Sequence, residues 1–281
     1  MTTEAIKVGN GGAGIVGFVQ YMYGKFNEVK GTNYNFTWVT SDTEETLKGL
    51  SDGTLDVGWP YGIERVCSSY RDHLNQWTDP RYIFRDHFLL AGPKSNPAGL
   101  PSSSDPHPHV SNDAVYAMFK TISEGKAGVK FLTRNDKSAT NVLEREIFKV
   151  AMGRYPEVGV DKWYIPLTGD KHYPDTALEV SNEKGYYTLS DRGIWTWADP
   201  SKKSNLKIFC EAGNTNPEDV LLNPCLAIAR IGDSWNARIA KEFVEWLSTD
   251  GQAYVATYVL HGDELYSKAP EDNIFACLLK A

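Results

Sequence analysis

The stretch VKFLTRNDKSATNVLEREIFKVAM, Val129–Met152, reads as a strand, a polar turn and a helix. Val129 to Thr133 are mostly apolar, Arg134 to Ser138 are polar turn formers, and Val142, Leu143, Ile147, Phe148 and Ala151 then fall on one helical face. The same plan opens the chain. AIKVGN, Ala5–Asn10, is a strand running into the glycine turn GNGGAG, and Ile15, Val16, Val19, Met22, Tyr23 and Phe26 follow at helical spacing. A chain that starts this plan twice is expected to build two α/β lobes.

Between the two starts, NYNFTWVT alternates as a strand, DTEETLKGLSDG reads as a capped helix closing on Gly53, and TLDVGW is a second strand. That order is βαβ and implies a parallel sheet with right-handed crossovers. Phe88–Ala91, ended by Gly92 and Pro93, is an apolar strand that carries the chain out of the first lobe. A Ser/Pro/His loop follows, then a helix capped near Asn112 or Asp113. Past Met152, TALEVSNEKG is a short helix stopped at Gly185, and YYTLSDRGIWTW is strand-like. NLKIFCEAG reads as the strand leading back, DVLLNPCLAIAR as a strand interrupted at Asn223-Pro224, and SWNARIAKEFVEWLSTDGQAYVATYVL as a long helical region. The expected lobes are residues 1–92 with 210–281, and residues 93–209.

The totals fit that plan. At 281 residues the chain is long for one core, and 41% apolar with 23% charged residues is a globular composition. A net charge of −7 with no Lys/Arg block argues against a nucleic-acid binder, so an anion must be captured locally. No run approaches the roughly 20 apolar residues of a membrane span, and MTTEAIKVGN lacks the features of a signal peptide. The expectation is a cytosolic chain or a mature form whose leader was removed. Cys67, Cys210, Cys225 and Cys277 show no C-x-x-C spacing, which leaves buried thiols or one or two disulfides.

Five segments, in order, resemble the tungstate-binding branch of the substrate-binding proteins of ATP-binding-cassette importers. NEKGYYTLSDRG is similar to that family's N-E-K-G-x-Y-T-L-T-D-R-G, and FLTRNDKSATNVLEREIF to its S-R-G-D-x-S-G-T-x-x-K-E. RDHFLLAGPKSNPAG, GTLDVGW and LLNPCLAIA complete the set. The resemblance implies a type II periplasmic-binding-protein-like α/β fold, with two lobes, two crossover strands and a ligand cleft between the lobes. It further implies a non-enzymatic, extracytoplasmic, monomeric carrier of tungstate or molybdate, with a membrane transporter as partner and no cofactor.

The resemblance places Arg192 at the cleft as a fixed cation, with Asp191 orienting it or capping the next turn; a buried structural ion pair is the alternative. Arg134 carries over from the second segment, and Ser138 and Thr140 offer hydroxyl donors or helix caps there. Where the family has T-T-T-S, this chain has Gly9, Asn10, Gly11 and Gly12, which could form a backbone nest with the Asn10 amide or simply a tight turn. Its G-T-G-Q is replaced by Ser41–Glu45, SDTEE, whose acids are ordinary partners of a helix N-terminus. Ser41, Trp59, Tyr61 and Asn223 complete the expected cleft lining. The aromatic content also admits another small anion or an organic ligand, and a ligand-free interaction protein is a third reading. His107 and His109 with His172, His73, His87 or His261 could contribute to a metal site only by convergence, and no G-x-S-x-G elbow points to a hydrolase.

Overall fold

The computed structural model describes residues 4–169, 174–214, 216 and 218–270. The chain divides into two compact units, residues 1–86 with 223–281 and residues 87–222.

The first unit opens with β1 (Ile6–Asn10), α1 (Gly12–Ile15) and α2 (Phe18–Lys30), followed by β2 (Phe36–Thr40), α3 (Thr43–Asp52), β3 (Val57–Gly58) and α4 (Ile63–Arg71). The helix expected from Ile15 is broken by Gly17, whose φ of 86° lies in the left-handed region that glycine enters without strain. β1 pairs in parallel with β2 and with β3, which is the βαβ arrangement read from the sequence. α3 starts at Asp42, whose side chain accepts from Glu45 N–H at 2.8 Å while the Glu45 carboxylate accepts from Asp42 N–H at 3.0 Å. This capping box engages Asp42 and Glu45 of the SDTEE stretch at the helix start, and Glu44 pairs with Arg65. Gly53, at φ 85°, ends the helix as expected.

β4 (Arg81–Pro93) leaves the first unit between Asp86 and His87. The second unit adds α5 (Asn112–Ser123), β5 (Phe131–Thr133), α6 (Ala139–Met152), β6 (Tyr164–Pro166), α7 (Pro174–Lys184), β7 (Thr188–Asp191), α8 (Arg192–Trp197) and β8 (Leu206–Glu211). The cap of α5 is Ser111, one residue before the expected pair. The strand-like reading of Tyr186–Trp197 holds only to Asp191, because the Asp191 carboxylate accepts the Ile194 N–H at 2.7 Å and nucleates α8. β5 pairs in parallel with β6 and meets β7 through a parallel bridge, Phe131–Tyr187. β7 and β8 both pair antiparallel with the second half of β4. Phe119, Phe131, Phe148, Tyr164, Tyr187 and Phe209, all buried, form the centre of this unit's core.

The chain re-enters the first unit between Leu222 and Asn223. This corrects the expected return at β8, which stays inside the second unit because it pairs with Leu89–Pro93. β9 (Leu222–Ala229) runs unbroken through Asn223-Pro224, so the expected interruption is absent. α9 (Trp235–Leu247), α10 (Gln252–Val255), β10 (Val259–Leu260), β11 (Asp263–Glu264) and β12 (Ser267–Lys268) follow, splitting the long helical region. The first unit's sheet has the order β12-β4-β9-β3-β1-β2. No helix among the described residues is long and apolar enough to cross a membrane. Cys67 is disulfide-bonded, Cys210 and Cys225 are buried free thiols, and Cys277 lies outside the described residues.

Candidate functional site

In the second unit, β5 and β7 run parallel and adjacent, so the residues that follow them leave the same carboxyl edge of the sheet. Arg134 follows β5 and Arg192 follows β7. Leu132 N–H donates to Tyr187 O at 2.7 Å and Thr188 Oγ1 to Leu132 O at 3.0 Å, which fixes the two strand ends against each other.

The Arg134 turn is tightly ordered. Arg134 Nε donates to Asp136 Oδ2 at 2.8 Å, and Asp136 Oδ1 accepts Ser138 N–H at 3.0 Å. Burial pushes the Asp136 carboxyl up, but Arg134 and the bonds from Ser138 outweigh it and hold the group below the ordinary carboxylate range. Ser138 is the N-cap of α6, its Oγ accepting Asn141 N–H at 3.3 Å, so the capping alternative describes it. Thr140 is buried in the first turn of α6. Neither the Ala139 and Thr140 amides nor the Thr140 hydroxyl is engaged by another described residue. The start of this 14-residue helix therefore offers amide and hydroxyl donors beside a guanidinium, the arrangement that favours an anion.

Arg192 is 7% exposed. Its Nε donates to Glu211 Oε1 and its Nη2 to Ala212 O at 3.3 Å. Glu211 is fully enclosed, and its other oxygen lies 2.7 Å from His107 Nδ1. His109 Nδ1 lies 3.0 Å from the Glu211 carbonyl oxygen. The HPH stretch thus braces Glu211, and among the described residues no group of three or more His, Cys, Asp or Glu could hold a metal ion; His172 lies outside them. Asp191 does not orient Arg192 but caps α8. Burial pushes the Asp191 carboxyl up to about 6, against the pull of the Ile194 bond and of the nearby Arg134 charge.

In the first unit, Asn10 is 1% exposed. Its Nδ2 donates to Trp59 O at 2.8 Å and its Oδ1 accepts Gly14 N–H at 2.9 Å, so the carboxamide braces the turn. Gly11 is close to the Ser41 carbonyl, where an added Cβ would sit at 3.2 Å, whereas Gly12 faces open space. Ser41 is buried with its hydroxyl 2.7 Å from Thr46 Oγ1. Trp59, expected to line a cleft, is 1% exposed and packs against Phe18, Phe84 and Phe243; it is core. Tyr61 bridges Cys225 in the backbone and sets its ring against Phe84, and Asn223 is buried at the start of β9. Sequence reading missed Asp136 and Glu211 as partners of the arginines and His107 as a partner of Glu211; only Asp136 lay inside a recognised segment.

Residues 3–250 match the model of a PBP superfamily domain. The chain belongs to this superfamily. A solved periplasmic protein proposed to bind metal is 32% identical over 94% of this chain and 96% of its own, with a TM-score of 0.78. The tungstate-binding protein TupA from Desulfovibrio alaskensis G20 shares 21% identity over 95% and 99%, with a TM-score of 0.73. A tungstate ABC transporter protein from Geobacter sulfurreducens shares 19% over 91% and 99%, with a TM-score of 0.70. Among curated proteins, none matches the sequence. The PBP superfamily member thus has the α/β fold that its five segments implied, with tungstate proteins among its structural neighbours.

Proposed function

We propose that the protein is a non-enzymatic solute-binding protein that captures a small tetrahedral oxyanion, tungstate or molybdate first. The observation that carries this reading is the start of α6, where the Ala139 and Thr140 amides and the Thr140 hydroxyl stand beside Arg134. A fully deprotonated oxyanion can only accept hydrogen bonds, and this seat offers donors. Two structural neighbours, a tungstate-binding protein and a tungstate ABC transporter protein, support the choice of ligand. The periplasmic location of one structural neighbour and the Cys67 disulfide support an extracytoplasmic setting, and the tungstate ABC transporter among the neighbours supports a membrane transporter as partner.

A second reading is favoured by a specific feature of the edge: Arg134 is paired with Asp136, and Arg192 with Glu211. Each guanidinium carries its own carboxylate, which lowers the net positive charge available to a dianion. A singly charged anion or a small organic ligand then competes with tungstate. Native mass spectrometry of the purified protein against tungstate, molybdate, sulfate and phosphate separates the readings. One bound tungstate or molybdate, retained over sulfate and phosphate, supports the first; no adduct with any of them turns the assignment to the second.

A further inference from the structure

Beneath the Arg134–Ser138 turn lies a carboxyl group enclosed on all sides. Glu144, on α6, is 0% exposed. Its Oε1 accepts from Thr133 Oγ1, from Asn141 Nδ2 at 2.8 Å and from Tyr164 Oη at 2.8 Å. Its Oε2 finds no hydrogen-bond partner among the described residues. Two of the three donors also hold the turn itself: Thr133 Oγ1 accepts Asn135 N–H at 3.1 Å, and Asn141 Oδ1 accepts Lys137 N–H at 3.1 Å. Asn135 and Lys137 are the turn's two left-handed residues, with φ of 51° and 61°. A residue with a Cβ stays in that region only when its surroundings fix it. One carboxyl therefore secures, through one intermediary each, both strained positions on either side of Asp136.

We propose that Glu144 is a positioning residue that makes anion capture at this turn proton-linked: its carboxyl braces the turn in either form, but the ionised form repels the anion held there and the neutral acid does not. The proposal rests on the reading of the α6 start as the anion seat. Burial drives the carboxyl up to about 7, against the pull of Thr133, Asn141 and Tyr164, and the neighbouring Asp136 charge pushes the same way as burial. The groups that face it are Thr133 from β5, Asn141 from α6, Tyr164 from β6 and, from the turn, Asp136 with its partner Arg134. Asp191, at the end of β7, lies within the field of the same Arg134, whose positive charge pulls its carboxyl down. An incoming anion adds negative charge above Glu144 and so raises its affinity for a proton. By reciprocity the proton tightens the anion: a one-unit change in the carboxyl's pKa corresponds to about a tenfold change in anion affinity.

The test is a calorimetric titration of sodium tungstate into the wild type and Glu144→Gln at pH 6.5 and 8.5, with the ligand-free wild type followed by NMR over the same range. The Gln side chain keeps the shape and cannot ionise, while Asp191, His107 and His109 remain in both proteins, so the difference between them isolates Glu144. The wild type is expected to lose about tenfold in affinity between the two pH values and the variant about twofold or less. In the free protein, the Glu144 carboxyl carbon is expected to titrate near neutrality together with the Asn135 and Lys137 amides. Equal pH dependence of binding in both proteins would overturn the proposal. If tungstate binds neither protein, the oxyanion reading fails on its own and the NMR arm decides for the turn: a carboxyl titrating in the ordinary range, with both amides unmoved, overturns the proton linkage as well.

Discussion

Arg192 and Glu211 form a buried ion pair across 19 positions of sequence, with Arg192 Nε donating to a carboxylate whose side chain is wholly enclosed. The pair is the structural alternative that the DRG motif left open. It gives Arg192 a place in the architecture of the second unit whether or not a ligand is present.

Removing Glu211 should therefore damage the fold before it damages binding. Glu211→Ala leaves a buried guanidinium without its anion, and such a loss costs about 3–5 kcal/mol. Urea unfolding followed by circular dichroism is expected to show a lower midpoint with an unchanged slope. A variant as stable as the wild type would show that water or another group compensates Arg192.

Asn10 has a comparable role in the first unit. Asn10→Ala strips a donor from the Trp59 carbonyl and an acceptor from the Gly14 amide. A buried group left unsatisfied costs about 1–3 kcal/mol. The expected result is a destabilised protein whose remaining folded fraction binds ligand normally, read by unfolding and calorimetry on the same preparation. Unchanged stability with lost binding would return Asn10 to the ligand site.

The pH dependence of stability follows from Glu144. Its folded carboxyl titrates at about 7 against an ordinary value of 4.5, so the folded state holds the proton more tightly than the unfolded chain. The resulting stabilisation is fully present below pH 4.5 and is lost as pH rises to about 7, on the order of 3 kcal/mol in all. Asp191, raised to about 6, adds a contribution of the same sign at the lower end of that window. Glu144→Gln should remove the larger part of the fall and leave that of Asp191. Parallel stability profiles for the two proteins between pH 4.5 and 7.5 would contradict this.

Much of this fold was legible because its elements are periodic and clearly punctuated. The apolar spacing of Val19, Met22 and Phe26 marked the buried face of α2, and Gly53 and Gly185 marked helix ends through their left-handed backbone. The return of the chain was misplaced because β8 has the same apolar character whether it pairs in one unit or crosses to the other; only its register against Leu89–Pro93 decides. The site residues were recognisable as types. Their partners were not: Glu211 lies 19 positions from Arg192 in an ordinary strand, and nothing local says that a carboxylate there turns inward. The same limit applied to Trp59, whose position after a strand suggested a lining role, while its environment of Phe18, Phe84 and Phe243 comes from three distant segments.

The start of α6, with Arg134, is the proposed seat of a small oxyanion. Calorimetric titration of sodium tungstate into the wild type and Arg134→Ala at one pH tests it most directly. One-to-one binding by the wild type is expected, with a loss of at least about tenfold in the variant, the minimum for a hydrogen bond to a charged group, and both proteins folded by circular dichroism. No heat with the wild type, or equal affinity in the two proteins, would contradict it.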